Sequence, residues 1–317
     1  MKILVTGACG YKGSVLVPKL IRAGHEVVAL DIMWFGNYLK PNPKLTVINA
    51  DVRDTSSIPL SGVDAIVHLS SIANDPCGDL DPKLTWEVSC LATMQLADKA
   101  VRAGVPHFIY ASSGSVYGLK SELEVTEDLD LVPLSEYNKT KMVAERVLLS
   151  FCREMTVQIV RPATVCGLSP RMRLDVAVNL LTMQALAKEE ITVLGGDQVR
   201  PNIHIDDVTD LYLFLLGNPQ IKGIYNAGFE NLSISEIAGK VARVTGATVK
   251  VKPSNDPRSY RVSSDKILTA GFRPRKSVDI AIDEIVDAFR SGALEDEDRH
   301  YNLKWMQKMI FSTDEIL

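Results

Sequence analysis

The sequence predicts an α/β fold, in which a doubly wound parallel sheet is joined to a smaller, mixed α/β lobe near the C-terminus. Short apolar, β-branched runs alternate with longer helical patterns through the first half of the chain. Near-continuous apolar runs are typical of strands buried on both faces of a parallel sheet. Alternation of strand and helix is the pattern that a doubly wound sheet requires. The predicted strands cover residues 3–5, 27–30, 45–48, 65–69, 108–111 and 157–160.

Helices are predicted between these strands over residues 14–23, 83–103 and 136–153, and Gly24 and Gly104 suit left-handed helix caps. Beyond residue 165 the alternation loosens. The pattern indicates a helix over 170–190, a strand and turn over 191–198, and serine-capped helices within 232–246 and 277–292. We therefore expect one domain over residues 1–165, to which 202–228 returns, and a second lobe made of 166–201 and 229–317.

Composition excludes several classes of function. The chain has 35 Lys and Arg against 39 Asp and Glu, a net charge of −4, and no basic cluster suited to nucleic acid. The five cysteines (9, 77, 90, 152 and 166) show no metal-ligand spacing, so neither a metal site nor a disulfide framework is expected. Unpaired cysteines, the absence of a charged leader and the lack of an apolar run of about 18 residues predict a cytoplasmic protein.

A glycine loop follows the first strand. Gly7, Gly10 and Gly13 are evenly spaced and lead into the first helix. Glycine lets the backbone approach a phosphate closely, and a helix N-terminus offers free N–H groups to an anion. This spacing predicts a dinucleotide site in a Rossmann domain, although a plain strand-to-helix turn would look the same in isolation.

Asp31 strengthens the dinucleotide interpretation because it ends the second strand, where a carboxylate accepts hydrogen bonds from both adenosine ribose hydroxyls. The same carboxylate would repel a 2′-phosphate, and no Arg or Lys follows before Lys40. The predicted cofactor is therefore NAD and not NADP. Asp51, after the third strand, is placed to reach the adenine, or else serves only as a strand-end cap.

Three further residues form a candidate catalytic set. Ser113 lies just after a predicted strand, and Tyr137 and Lys141 are four residues apart on one helix face. Lys141, together with the charge of oxidised nicotinamide, would lower the pKa of Tyr137, so that the phenol could take a proton from a sugar hydroxyl. Ser113 would hydrogen-bond the same oxygen. A Tyr-x-x-x-Lys pair alone occurs often by chance, and its weight comes from the order of all these features.

Taken in order, the motifs resemble the extended short-chain dehydrogenase/reductases, specifically the NAD-dependent epimerase/dehydratase family that modifies nucleotide sugars. The resemblance covers nearly the whole chain and implies cofactor contacts from Gly7, Gly10, Tyr11, Lys12, Gly13, Asp31, Asp51, Val52, Leu69, Ser70, Tyr137, Lys141 and Pro162. The motifs that carry it are "TGACGYKG", "DVRD", "HLSS", "SSGSVYG", "YNKTK", "RPATVCG", "RPNIHIDDV", "YNAG" and "DPRSYRVSSDKI".

The resemblance also implies a site for a nucleotide-diphosphate sugar. Arg200 matches the family's arginine on the substrate diphosphate, and Arg258 matches a second one, with Arg200 favoured. The other expected substrate contacts are Asn74, Ser113, Gly114, Ser115 and Thr164, with Asp75 beside them; the nucleotide and the sugar are not readable. The family further implies a homodimer through the helices around 83–103 and 136–153.

Departures from the family pattern narrow the reaction. The family's 4,6-dehydratases carry Asp and Glu where this chain has Gly114 and Ser115, so dehydration is disfavoured. Epimerases acting at carbons 3 and 5 use a cysteine at the position of Ser115, for which Cys77 or His68 are weak substitutes. Thr164 and Ser89 replace two asparagines that a galactose-type epimerase normally keeps, which points to a less common sugar.

The remaining Ser113, Tyr137 and Lys141 set suffices for hydride chemistry alone. It serves a 4-epimerase, which oxidises the sugar and returns the hydride to the opposite face, or a ketosugar reductase. The NAD preference favours the epimerase, because biosynthetic reductases more often use NADPH. A non-catalytic NAD(H)-binding regulator ranks behind both, since Tyr137 and Lys141 are present. The role of the tail after Gly292 stays open.

Overall fold

The computed structural model describes residues 1–254 and 259–313, with side chains as far as residue 309. The strands are β1 (Lys2–Thr6), β2 (Glu26–Asp31), β3 (Leu45–Asn49), β4 (Ala65–His68), β5 (His107–Ala111), β6 (Thr156–Pro162), β7 (Thr164–Cys166), β8 (Glu190–Leu194), β9 (Val199–His204), β10 (Gly223–Ala227), β11 (Glu230–Ser233) and β12 (Thr248–Lys252). The helices are α1 (Gly13–Arg22), α2 (Asp75–Gly78), α3 (Pro82–Trp86), α4 (Ala92–Arg102), α5 (Glu136–Ser150), α6 (Ala177–Lys188), α7 (Ile205–Leu216), α8 (Ile234–Thr245), α9 (Asp265–Thr269), α10 (Val278–Arg290) and α11 (Asn302–Thr313).

Seven strands form one parallel sheet in the order β10-β6-β5-β4-β1-β2-β3. The chain order reverses between β1 and β4, so the predicted doubly wound sheet is confirmed. In such sheets ligands bind outside the carboxyl ends of the strands, at the point of reversal. The glycine loop follows β1 at that edge.

Helices cover both faces of this sheet, as its buried apolar strands require. On one face α1 and α7 contribute Leu16, Leu20 and Leu211 to the core. On the other face α4 and α5 contribute Leu96 and Leu148. The predicted helices at 14–23 and 136–153 are confirmed, and Gly24 and Gly104 adopt φ of +91° and +72° just beyond α1 and α4.

Two small sheets lie outside the main one. Strands β11, β9 and β7 form a three-stranded sheet, and β12 pairs in parallel with β8. Apolar residues of α6, α8 and α10 pack together beside them. The serine caps are present: Ser233 forms a capping box with Glu236 at α8, and Ser277 caps α10. The mixed α/β character predicted for this part of the chain is confirmed.

Two predicted helices differ in the structure. The helix expected over 170–190 begins only at Ala177, because the preceding segment makes long-range hydrogen bonds instead of helical ones: Leu174 N–H donates to the His300 carbonyl at 2.8 Å. The helix expected over 83–103 is divided into α3, a π-helical segment at Glu87–Leu91, and α4. Ser89 lies in the π segment, where its hydroxyl accepts the Ile72 N–H at 3.2 Å.

No helix in residues 1–254 or 259–313 is long and apolar enough to cross a membrane. The tail, whose role the sequence leaves open, forms α11. Trp305 Nε1 donates to the Trp34 carbonyl at 2.8 Å, and Met306 is buried against Ile72 and Phe35. The tail therefore packs on the loop that follows β2, close to Asp31.

Candidate active site

A cavity of about 850 Å³ opens at the carboxyl edge of the main sheet. With two exceptions, every site residue expected from the sequence lines it. Gly114 is not in the lining; it lies in a 3₁₀ turn, where an added Cβ would lie 3.4 Å from the Pro162 carbonyl oxygen. Arg258 lies outside the described residues. The lining includes Gly7, Gly10, Tyr11, Lys12, Gly13, Asp31, Asp51, Val52, Leu69, Ser70, Asn74, Ser113, Ser115, Tyr137, Lys141, Pro162, Thr164 and Arg200.

The glycine loop is pressed against neighbouring backbone. Gly7 has φ of +67°, and a Cβ added there would lie 2.7 Å from the Ser70 nitrogen. A Cβ on Gly13 would lie 2.3 Å from the Gly7 carbonyl oxygen. Only glycine fits this fold of the loop, which directs the N-terminus of α1 toward the cavity.

Two backbone N–H groups fix the Asp31 carboxylate at the end of β2. Cys9 N–H donates to one oxygen at 2.9 Å, and Met33 N–H donates to the other at 2.7 Å. Burial raises the pKa of Asp31, while these two hydrogen bonds and the charge of Arg171 oppose the shift. The carboxylate is thus held on the cavity wall with lone pairs left to accept ribose hydroxyls.

The catalytic candidates come from β5 and α5. Ser113 follows β5, and Ser135 caps α5 so that Tyr137 and Lys141 face the cavity on successive turns. Lys141 Nζ donates to the Ala111 carbonyl at 2.8 Å. Burial and the nearby Lys12 charge set the pKa of Lys141 well below its usual value, against the attraction of Glu145. These three residues are brought together as expected.

Burial raises the pKa of Tyr137, and the charge of Asp75 adds to that shift. A hydrogen bond with Ser113 and the charge of Arg173 act in the opposite direction. The lowering of this pKa by Lys141 and oxidised nicotinamide stays a prediction for the loaded protein. In the protein alone the phenol holds its proton.

A neutral hydroxyl network takes the place of an acid and base next to Ser113. The Ser113 and Ser115 hydroxyl oxygens are 2.7 Å apart, and the Ser115 hydroxyl donates to the Asn138 side-chain oxygen. None of these groups titrates near neutral pH. Asn138 was not anticipated from the sequence, although it directly follows Tyr137.

His68 and Cys77 are unsuited to proton transfer. The His68 ring is buried between Thr6 and Thr93 hydroxyls at 2.6 and 2.8 Å, and burial with the Lys141 charge lowers its pKa to about 3. Burial raises the pKa of Cys77 to about 12. Neither residue lines the cavity. Both positions serve packing in this fold.

The residues expected to contact a substrate lie on less regular parts of the fold. Thr164 lies in β7 and Arg200 in β9, where the Arg200 guanidinium donates to the Val199 carbonyl at 3.2 Å. The Asn74 side chain caps α2 by accepting the Cys77 N–H and donates to Asp175, at 3.0 Å each. These two bonds orient the Asn74 amide and leave it a second N–H and a second lone pair for contact with a ligand.

Several residues that line the cavity were not predicted from the sequence. Arg171 and Arg173 lie in the irregular segment before α6, and the short basic "RMR" run is the only signal that could have located them. Arg173 forms an ion pair with Asp175 at 2.9 Å. Trp34, Phe35, Asn302 and Met306 also line the cavity, and no sequence pattern brings the last two to it.

The residues present fit a dinucleotide. The loop at Gly7 and Gly13 leaves no room for side chains, the α1 N-terminus and Lys12 offer positive potential, and Asp31 supplies a ribose acceptor. Within residues 1–254 and 259–313, no group of three or more His, Cys, Asp or Glu side chains is placed to hold a metal ion.

Comparison with known proteins agrees with this geometry. The model of the NAD dependent epimerase/dehydratase family matches residues 3–228. A UDP-glucose 4-epimerase from Lactobacillus helveticus is 26% identical over 307 residues, covering 87% of this chain and 92% of that protein.

Two solved structures are similar over nearly the whole fold. UDP-glucose 4-epimerase from Thermotoga maritima with UDP-glucose gives a TM-score of 0.84 at 25% identity, covering 93% of this chain and all of that one. The dTDP-glucose 4,6-dehydratase from Streptomyces venezuelae with NAD bound gives 0.83 at 26% identity, covering 93% and 99%. Epimerases and dehydratases thus share this architecture, and the fold does not distinguish between the two reactions.

Proposed function

This chain belongs to the NAD dependent epimerase/dehydratase family, and on that premise we propose that it is a nucleotide-sugar 4-epimerase. Its cofactor is NAD, for which Asp31 and the glycine loop are suited. The curated relative from Lactobacillus helveticus is a UDP-glucose 4-epimerase, so UDP-sugars are the first substrates to test.

One observation carries the proposal: the cavity holds Ser113, Tyr137 and Lys141, while Gly114 and Ser115 occupy the positions at which the 4,6-dehydratases of the family carry an Asp and a Glu. Ser115 is engaged in a hydroxyl network with Ser113 and Asn138. A 4,6-dehydratase must move a second proton at a neighbouring carbon, whereas a 4-epimerase moves one proton and one hydride at the same carbon. Ser113, Tyr137 and Lys141 match the requirement of the 4-epimerase, which has one proton and one hydride to move.

NAD held by the glycine loop and Asp31 would supply a hydride acceptor for the sugar carbon, and then a hydride donor for its opposite face. Tyr137 takes the proton of the sugar hydroxyl and later gives it back, and Ser113 hydrogen-bonds the same oxygen. Lys141, held by the Ala111 carbonyl, adds positive charge that favours the phenolate.

We assign the nucleotide of the substrate to the lobe expected over residues 166–201 and 229–317, and most of the cofactor contacts to residues 1–165 and 202–228. Arg200 lines the cavity from β9 and presents a guanidinium fork suited to diphosphate oxygens. Thr164 lies on the neighbouring strand β7. On this proposal the sugar lies between the two parts, beside Tyr137.

A second copy of the chain is expected to pack on the helices around 83–103 and 136–153, as the family resemblance implies. Leu91 of the π-helical segment and Met94 of α4 are 44% and 40% exposed, which suits an apolar interface. A single protomer mass in light scattering would contradict this expectation. Met94→Glu should shift a dimer toward monomer.

The test is incubation of the purified protein with UDP-hexoses and UDP-uronic acids in D₂O, followed by NMR. A 4-epimerase forms the C4 epimer without added NADH and without deuterium at carbons 3 to 5, because the hydride returns to the carbon that lost it. Stoichiometric NADH consumption with a 4-ketosugar would instead establish a reductase. Deuterium in the product would indicate proton abstraction next to a ketone.

Tyr137→Phe should lower the turnover number by about 10²–10⁴-fold, because it removes the acid–base group. Its cofactor affinity should change little. Tyr225→Phe is the matched control, since that hydroxyl donates to the Lys222 carbonyl at 3.0 Å and does not line the cavity. Full activity of Tyr137→Phe would overturn the proposed chemistry.

A further inference from the structure

The C-terminal helix α11 forms part of the wall of the cofactor cavity. Asn302 and Met306 line the cavity together with Trp34 and Phe35 of the loop after β2. The Trp305 indole donates to the Trp34 carbonyl at 2.8 Å, which ties the helix to this loop. Residues far apart in sequence thus meet beside Asp31.

Arg171 lies between α11 and this loop, and its side chain is only 3% exposed. One terminal nitrogen donates to the Asn302 side-chain oxygen, and the other donates to the Met172 carbonyl at 3.3 Å. The guanidinium carbon lies 3.9 Å from the centre of the Phe35 ring. Ring and amide together fix the guanidinium plane on the cavity wall.

The hydrogen bonding and the charge of Arg171 are incomplete. Among residues 1–254 and 259–313, its buried Nε has no hydrogen-bond partner. Arg173, two residues on, has Asp175 as an ion-pair partner, whereas no described carboxylate lies within ion-pair distance of Arg171. A buried cation with a free N–H group is costly unless an anion completes the site.

We propose that Arg171 is a binding residue for the diphosphate of the dinucleotide cofactor, and that Asn302 of α11 holds it in place. This rests on the proposed assignment of the cavity to NAD. The Arg171 backbone N–H donates to Ser14 Oγ at 3.4 Å, so the residue lies next to the first turn of α1. Phosphate placed at that helix N-terminus is in the region that Arg171 borders, and Asp31 fixes which end carries the adenosine.

The neighbouring cations are less suited to this role. The Arg173 guanidinium is occupied by Asp175, and Arg200 lies in β9 at the substrate end. Lys12 shares the anion but presents a single point charge, whereas a guanidinium binds phosphate through a planar fork of donors. The C-terminal helix α11 therefore contributes to the cofactor site by holding Arg171, a side chain of the irregular segment before α6.

The test measures binding of three probes to the full chain: NADH, ADP-ribose, which keeps the diphosphate, and adenosine, which lacks it. Arg171→Gln should weaken the binding of NADH and ADP-ribose by about tenfold or more, because a charge-assisted phosphate contact is lost. The affinity for adenosine should stay unchanged. Arg171→Lys should recover part of the affinity. Arg243→Gln, on the exposed side of α8, is the matched control.

Asn302→Ala should weaken NADH and ADP-ribose binding by a smaller factor and leave adenosine binding unchanged. Combining it with Arg171→Gln should cause no further loss of affinity. Unchanged ADP-ribose affinity in Arg171→Gln would overturn the proposal, as would equal losses for adenosine and ADP-ribose, which would indicate stacking on the base. Melting curves of each variant separate lost binding from lost folding. These binding measurements involve no turnover of sugar. A protein that loses NADH and ADP-ribose affinity in Arg171→Gln, but whose wild type fails to epimerise sugars, would therefore contradict only the proposed reaction.

Discussion

Arg161, near the end of β6, forms a bidentate ion pair with Glu145, which lies one helical turn beyond Lys141 in α5. The Arg161 Nε and Nη2 atoms donate to the two Glu145 oxygens at 2.9 and 2.6 Å, and the side chains are 3% and 1% exposed. A third donor of Arg161 contacts the Tyr117 hydroxyl at 2.7 Å. This pair fixes α5, which carries Tyr137 and Lys141, to the end of β6.

Breaking that pair should destabilise the fold strongly. Arg161→Met leaves the Glu145 carboxylate buried without its cation, so we expect a loss of about 3–5 kcal/mol in the free energy of unfolding. Urea titration followed by circular dichroism measures it. Arg102→Met is the control, because the Arg102–Asp98 pair is mostly exposed, and its loss should be below about 1 kcal/mol. Equal losses in both variants would contradict the structural role of the buried pair.

Gly13→Ala should impair the cofactor site through backbone crowding. The added Cβ would lie 2.3 Å from the Gly7 carbonyl and 2.5 Å from that of Ala8, so the loop must move. We expect at least about tenfold weaker NADH binding and a loss of about 1–3 kcal/mol in stability. Gly239→Ala in α8 is the matched change, with nothing within 4 Å of the new Cβ, and it should stabilise by up to about 1 kcal/mol. NADH titration of a folded Gly13→Ala protein with normal affinity would refute the prediction.

Cofactor affinity should fall as pH rises through about 8. Burial and the charge of Arg173 lower the pKa of Lys12 to about 8, so the ammonium that attracts phosphate is lost above that value. Lys141, whose pKa is also lowered, contributes in the same direction. Because phosphate binding favours the charged form, NADH binds best below pH 8. Dissociation constants measured from pH 6.5 to 9.5 should show this slope.

Lys12→Arg keeps its charge across that range and should flatten the slope at high pH. Lys12→Met should bind more weakly at low pH and approach the wild-type affinity above pH 9. A wild-type affinity that is constant over the whole range would exclude titration of Lys12 as the cause.

Asp31 should determine the choice between NAD and NADP. Its carboxylate accepts ribose hydroxyls but repels a 2′-phosphate, so Asp31→Ser should weaken NAD by about tenfold and narrow the preference over NADP. The ratio of the NAD and NADP dissociation constants, measured for wild type and Asp31→Ser in the same buffer, gives the change in this preference. Wild-type protein that binds both cofactors equally would contradict the assignment of Asp31.

Much of this architecture follows from local pattern. The apolar runs at β1, β2, β4, β5 and β6 predicted the parallel sheet because strands buried on both faces need them. The contribution of Arg171, Asn302 and Met306 to the cavity could not be foreseen, since it depends on where α11 packs. Likewise, the helix expected from Pro170 onward begins only at Ala177, because the His300 carbonyl binds Leu174 N–H and tertiary hydrogen bonding outweighs helical propensity there.

The participation of α11 in the cavity wall has a consequence for synthesis of the protein on the ribosome. Tyr137 and Lys141 are made well before Asn302 and Met306, which close the same cavity. At roughly 5–20 residues per second, translation from Lys141 to Met306 takes about 10–30 s. During that interval the nascent chain carries the glycine loop and its buried cations without their final cover. Cofactor loading is therefore expected to be a late event, after α11 has been made and has packed.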